Sequence, residues 1–139
     1  VTYRRPELLS PGHEVQDFLC TSLEQEEWLV RHARQSMATG TTRVFVVTTS
    51  DSPKVVGYYA WSMGSVRHAD APNRLRKGAG RYPQPIALLA RLGVHQYHQG
   101  AGLGAALLLD VVQRVAAMSE EIGCRGLVVH CESQSARDF

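Results

Sequence analysis

The hydrophobic positions of this chain change their period along its length. In "SLEQEEWLVRHARQSMATG", Ser22 to Gly40, apolar and charged residues alternate at helical spacing, so the segment reads as a helix. Ser22 can cap it, Glu24, Glu26 and Glu27 suit the positive end of its dipole, Arg31 and Arg34 suit the negative end, and Gly40 stops it. "TTRVFVVTT", Thr41–Thr49, is β-branched and reads as a strand. "SDSP" is a turn, and "KVVGYYAWSMGSV", Lys54–Val66, is a second strand, so the two form a hairpin. "IALLARLGV", Ile86–Val94, reads as apolar throughout, which suits a strand buried on both faces. From Leu103, apolar residues recur at Leu107, Val111, Val115, Met118 and Ile122, a helix ended by Gly123. "CRGLVVHC", Cys124–Cys131, is another buried strand, and a last helix starts at Ser133 or Ser135. Residues 1–22 are weakly patterned, with a short strand at Val1–Arg5 and a turn or helix near Val15–Leu19.

This order predicts a mixed α/β sheet with flanking helices. A hairpin feeds a strand–helix–strand unit, whose two strands are parallel and joined by a right-handed crossover. His68–Pro85 is a polar loop bearing Pro and Gly, long enough to be either functional or disordered.

Composition narrows the class without naming it. The 139 residues, 44% hydrophobic and 20% charged, suit a single domain spanning 1–139 with one core. No apolar run reaches the ~18–20 residues of a membrane helix, and "VTYRRPELLSPGHE" has no signal-peptide pattern. Cys20, Cys124 and Cys131 are odd in number and form no CxxC pair, which argues against a disulfide framework or zinc site. The expectation is a cytoplasmic protein with reduced thiols and no membrane partner. A net charge of +2 says little, but its distribution says more. Arg67, Arg74, Arg76, Lys77 and Arg81 face only Asp70 across one segment. Such a patch either attracts a polyanion or is a solvated loop.

The chemistry concentrates in "RLGVHQYHQGAGLGAALLLDVV", Arg91–Val112. Here Gly100, Gly102 and Gly104 lie between a strand's end and a helix's start. Free N–H groups and the helix dipole favour an anion there, and glycine lets the backbone approach it. A pyrophosphate is the natural guest, with tight-turn packing as the bland alternative. Two patterns compete. "GAGLGA" fits the dinucleotide fingerprint G-x-G-x-x-A, with Glu132 as a candidate ribose acid. Against it, "HQYHQ" separates the strand from the first glycine, and the unit is not repeated. A Walker A loop is excluded, because no Lys-Ser/Thr follows the glycines. The other pattern, from Gln99, is "QGAGLG", or Q-x-x-G-x-G.

Set between that strand and that helix, "QGAGLG" resembles the pyrophosphate loop of the GNAT superfamily of N-acetyltransferases, which bind acetyl-CoA. "FVV", "KVVGYYAWSMGSVRHADAPNRLR" and "IGCRGLVVHCESQSARDF" are similar to one branch, the GNAT-type toxins of bacterial toxin–antitoxin pairs. The resemblance runs from about Leu23 to the end. It implies a GNAT-like mixed sheet and transfer of an acetyl group to the α-amino group of aminoacyl-tRNA, which stops translation. It implies acetyl-CoA bound by Leu92, Gly93, Val94, Gln99, Gly100, Ala101, Gly102, Leu103, Gly104 and Ala105. The tRNA would meet Arg67, Arg74, Arg76, Lys77 and Arg81, extended by Arg31 and Arg34. A homodimer and a ribbon-helix-helix antitoxin are implied partners, and no metal is.

The resemblance also implies a general-acid tyrosine just after the segment matching "SARDF", and two last strands. Both are expected beyond Phe139, so the catalytic residue is unassigned. Ala101 stands where the branch commonly has Arg or Lys, which predicts weaker CoA binding, and Gly93 stands where Ala is common. A GNAT acting on a small or protein amine, or a CoA-binding partner without turnover, are the alternatives. Other features read as structural. "AWSMG" around Ser62 resembles a nucleophile elbow, but the strand pattern continues to Val66. His95 and His98 lack acidic or Cys companions for a metal, and a role as amine base competes with capping. Tyr58, Tyr59, Trp28 and Trp61 suit packing, Tyr97 lies in the cofactor loop, and Cys131 suits a buried strand.

Overall fold

The computed structural model describes residues 2–67 and 82–130. Its elements are β1 (Glu7–Leu8), α1 (Leu23–Arg31), α2 (Ala33–Ala38), β2 (Arg43–Thr48), β3 (Val55–Val66), β4 (Gln84–Val94), α3 (Leu103–Glu121) and β5 (Leu127–Val129). They build a five-stranded sheet in the order β1-β2-β3-β4-β5. All neighbours are antiparallel except β4 and β5, which pair in parallel through Ala87–Leu89 and Leu127–Val129. The expected mixed α/β sheet with flanking helices is therefore present.

The sheet is covered on both faces. Leu29 and Ala33 of the α1–α2 segment pack with Phe18, Val44, Val46, Tyr58 and Ala60. Leu103, Leu107 and Val111 of α3 pack with Val47, Val56, Tyr59 and Leu89 on the other face. The consecutive residues Tyr58 and Tyr59 point to opposite faces, as strand pleating requires, and both are fully buried. The Tyr59 hydroxyl donates to Asp110 Oδ2 of α3 at 2.6 Å, while Arg114 Nε donates to the same oxygen at 2.8 Å. Arg114 also donates to the Pro6 carbonyl at 3.1 Å and lies 4.1 Å from the Phe45 ring centre.

Several expectations are corrected. The segment Leu23–Gly40 is two helices that meet at His32, whose φ of −121° lies outside the helical range. Arg34 of α2 donates to the Ser10 and His13 carbonyls, a tertiary tie that periodicity does not record. Ser22 caps α1 as expected, accepting from the Gln25 amide. The first strand is not Val1–Arg5. Within that span Tyr3 only bridges Thr49, and regular pairing waits until Glu7, because Pro6 has no N–H to offer the ladder. Val15–Leu19 is a turn, closed by the Phe18 amide on the Val15 carbonyl. β4 begins two residues earlier than expected, through Pro85, and β5 is shorter than Cys124–Cys131. The helix start at Ser133 or Ser135 lies outside the described residues, as do Cys131 and Glu132.

Candidate active site

A β-bulge decides the geometry of β4. Ala60 pairs with Arg91 while Trp61 pairs with Leu89, so Ala90 is an extra residue in β4. The bulge resets the pleat and keeps both Leu89 and Leu92 in the core on the α3 face. It also separates β4 from β5. Their ladder ends at Leu89, whose carbonyl accepts the His130 amide at 3.0 Å. Beyond it no described strand pairs with that edge of β4. The His95 amide donates to the Val56 carbonyl of β3, so by alternation the backbone groups of Leu92 and Val94 turn away from β3. They form a short open edge.

The chain leaves β4 by a tightly held turn. The His95 Nδ1 accepts from the Tyr97 amide at 3.2 Å and caps the 3-10 turn Gln96–His98. The Gln96 amide donates to the Leu19 carbonyl, and the Tyr3 hydroxyl meets His98 Nδ1 at 2.8 Å. Burial, and then neighbouring His95, push the His98 imidazole below its ordinary value. These bonds give His95 and His98 anchoring roles. Among the described residues no group of three or more His, Cys, Asp or Glu could hold a metal.

The glycines follow. Gly100 and Gly102 have φ of +83° and +80°, conformations that disfavour a side chain. Gly104 is different from the expectation, since it sits inside α3 without a positive φ. Gly102 is the N-cap of α3 and provides no side-chain cap. The first bond of the helix runs from the Ala106 amide to the Gly102 carbonyl, so the amides of Leu103, Gly104 and Ala105 precede it. Leu103 anchors this turn on β3: a Cβ at Gly57 would lie 3.1 Å from its Cδ2. The result is an uncapped, rigidly seated crown of N–H groups beside the open edge of β4. These donors suit a diphosphate.

The opposite face of β4 carries a cluster that periodicity did not flag. Arg91 lies 5.1 Å from the Trp28 ring centre, 3.3 Å from Glu24 Oε1 and 3.4 Å from Gln25 Oε1. Trp28 in turn stacks on Tyr58, whose hydroxyl donates to the Gln25 carbonyl at 2.7 Å. The one available signal was a charged residue inside the apolar run "LLARLGV". Gly93 is also more than a minor change. A Cβ there would lie 2.9 Å from Tyr58 Cε1, so glycine makes room for that ring.

Of the basic residues, Arg67 is described and exposed just past the end of β3, while Arg74, Arg76, Lys77 and Arg81 lie outside the described residues. Arg31 is exposed in the last turn of α1, whereas Arg34 is engaged with the N-terminal loop. Ser62 lies within β3, which runs on to Val66, so the nucleophile elbow is excluded. Among the described residues no helix is long and apolar enough to cross a membrane.

This is the architecture of a GNAT acetyltransferase. It superposes with a TM-score of 0.91 on a crystal structure of a KacT mutant, covering 100% of this chain and 84% of that one at 22% identity. AtaT complexed with acetyl-methionyl-tRNA gives 0.90, covering 99% and 82% at 23% identity. AtaT bound to the C-terminus of the antitoxin AtaR and acetyl-CoA gives 0.83, covering 100% and 81% at 21% identity. A tRNA-acetylating toxin of Mycobacterium tuberculosis is 37% identical over 137 residues, 99% of this chain and 81% of that protein. A probable toxin TacT of Sinorhizobium fredii is 32% identical over 119 residues, 84% of this chain and 66% of that protein. No family model matches. The chain belongs to the family of GNAT-type tRNA-acetylating toxins.

Proposed function

We propose that this protein transfers the acetyl group of acetyl-CoA to the α-amino group of aminoacyl-tRNA, within one domain spanning 1–139. The observation that carries this reading is the layout along β4. The glycine crown follows its C-terminal end, and exposed Arg67, one residue past Val66, lies by its N-terminal end, where Val66 pairs with Gln84. β4 is eleven residues long, roughly 35 Å of strand. Two polyanions can therefore be held apart while their reactive ends meet near the bulge.

When bound, acetyl-CoA supplies the activated acetyl group. The amides from Gln99 to Ala105 would hold its diphosphate, and the open edge at Leu92–Val94 would pair with its pantetheine arm as an added strand. An N–H of that edge would polarise the thioester carbonyl. Ala101 adds no charge to this crown, so acetyl-CoA should bind more weakly than it would with Arg or Lys at this position. Tyr3, Tyr58 and Tyr59 commit their hydroxyls to His98, Gln25 and Asp110, and none of the three acts as the thiolate's acid in this reading. Arg67, Arg74, Arg76, Lys77 and Arg81 supply sequence-independent phosphate affinity. A homodimer, an antitoxin with a ribbon-helix-helix end and a cytoplasmic location complete the reading.

The test is incubation with labelled acetyl-CoA and charged tRNA. Label should appear as N-acetyl-aminoacyl-tRNA, with a rate that falls steeply with salt and on charge reversal at Arg74, Arg76 and Lys77. Transfer to free amines alone, indifferent to salt, rejects the tRNA substrate in favour of a small-amine enzyme. Binding of acetyl-CoA without transfer to either identifies a non-catalytic partner.

A further inference from the structure

Arg91 is the charged residue of β4 nearest its open edge, one position before Leu92. Its side chain lies on the α1 face, opposite the face that α3 and the glycine crown occupy. The guanidinium is held over Trp28, and Trp28 over Tyr58, so little orientation remains to be lost on binding. Its ionic partner is a poor match for that preparation. Glu24 approaches through a single contact at 3.3 Å with its side chain 61% exposed, the geometry of a weak surface pair. The same Nη1 also reaches the neutral Gln25 Oε1 at 3.4 Å, and a planar fork with several donors suits a phosphate better than one solvated carboxylate oxygen and one amide oxygen shared by a single nitrogen.

Resting on the acyl-transfer reading above, we propose that Arg91 receives the last phosphodiester of the acceptor strand, exchanging Glu24 for it. The aminoacyl group sits on the terminal ribose, so that phosphodiester is the anion nearest the amine. An amine brought to the edge at Leu92 therefore brings it to the adjacent residue. Glu24 holds the guanidinium in place while the site is empty and competes with the phosphate when it arrives. Arg91 is thus a substrate-positioning residue for the acceptor end, separate from the basic segment that binds the body of the tRNA.

Binding of a charged tRNA with a non-hydrolysable amide linkage tests this without requiring turnover. Arg91→Gln should weaken binding about tenfold and lower the log–log salt slope by ~0.7–0.9. Arg91→Lys, which keeps the charge but loses the fork, should fall between. Glu24→Gln should tighten binding severalfold. Unchanged acetyl-CoA affinity and melting temperature in each variant show that the fold persists. A neutral methylphosphonate at the last linkage should erase the difference between wild type and Arg91→Gln. Equal affinity and salt slope for those two proteins, or a difference that survives the neutral linkage, overturns the assignment. Wild type that binds neither the charged analogue nor uncharged tRNA instead overturns the tRNA reading itself.

Discussion

Tyr59 and Asp110, 51 positions apart, share a 2.6 Å hydrogen bond that fastens β3 to α3 inside the core. Burial first, and then the Asp110 carboxylate, hold the phenol protonated far above its ordinary value of 10, so Tyr59 is always the donor. Because Arg114 donates to the same oxygen and also reaches Pro6, one carboxylate ties together sheet, helix and N-terminal segment. Removing Tyr59's hydroxyl (Tyr59→Phe) should cost about 1–2 kcal/mol, whereas Asp110→Ala, which strands two donors, should cost about 2–3 kcal/mol. Urea melts of the single and double variants check this. Strict additivity would reject a shared oxygen as the link.

Gly102 and Gly93 make opposite demands. At Gly102 nothing lies within 4 Å of an added Cβ, but φ is +80°. Gly102→Ala should therefore lose about 1–2 kcal/mol through backbone strain alone and weaken acetyl-CoA binding as the crown shifts. At Gly93 the added Cβ meets Tyr58 at 2.9 Å. Gly93→Ala should cost ~1–3 kcal/mol by overpacking, and pairing it with Tyr58→Leu should recover part of that loss. Calorimetric melting distinguishes the two mechanisms, because Tyr58→Leu gives Gly102→Ala no relief.

Ala101 is exposed between the two left-handed glycines. Ala101→Arg should tighten acetyl-CoA binding about tenfold or more, since a charge-assisted phosphate contact contributes ~1.5–3 kcal/mol. Titration calorimetry reads this directly. An unchanged affinity would remove the diphosphate from this loop.

His98 adds a pH dependence of known sign. Burial and His95 lower its pKa in the fold from 6.5, so below about pH 6.5 the unfolded chain takes up more protons than the folded one. Stability is then complete above that pH and is lost as pH falls toward the folded value. Melting temperature between pH 7.5 and 5.5 should fall more for wild type than for His98→Gln. Parallel curves would show that His98 does not contribute.

Local pattern was enough to place most elements, and where it failed the cause was contact at a distance. Ser22 capped its helix and Gly40 ended its segment, because capping depends on neighbours within a turn. The break at His32 was not legible, since Arg34's partners lie 24 and 21 positions away. The glycine turn ahead of a helix was legible from spacing, and Gly100 and Gly102 take the positive φ that such a turn requires. That Gly104 belongs to the helix, and that Gly93 exists for Tyr58, required the folded neighbours.

By itself the sequence determined the order of strands and helices and the run of amides ahead of α3. Those properties follow from period and capping, which act over a few residues. Only the tertiary structure decided that β4 bulges at Ala90, that its edge opens after Leu89, and that Arg91 settles between Trp28 and Glu24. Register and side-chain pairing between strands depend on residues far apart in the chain, and no local pattern encodes which of them meet.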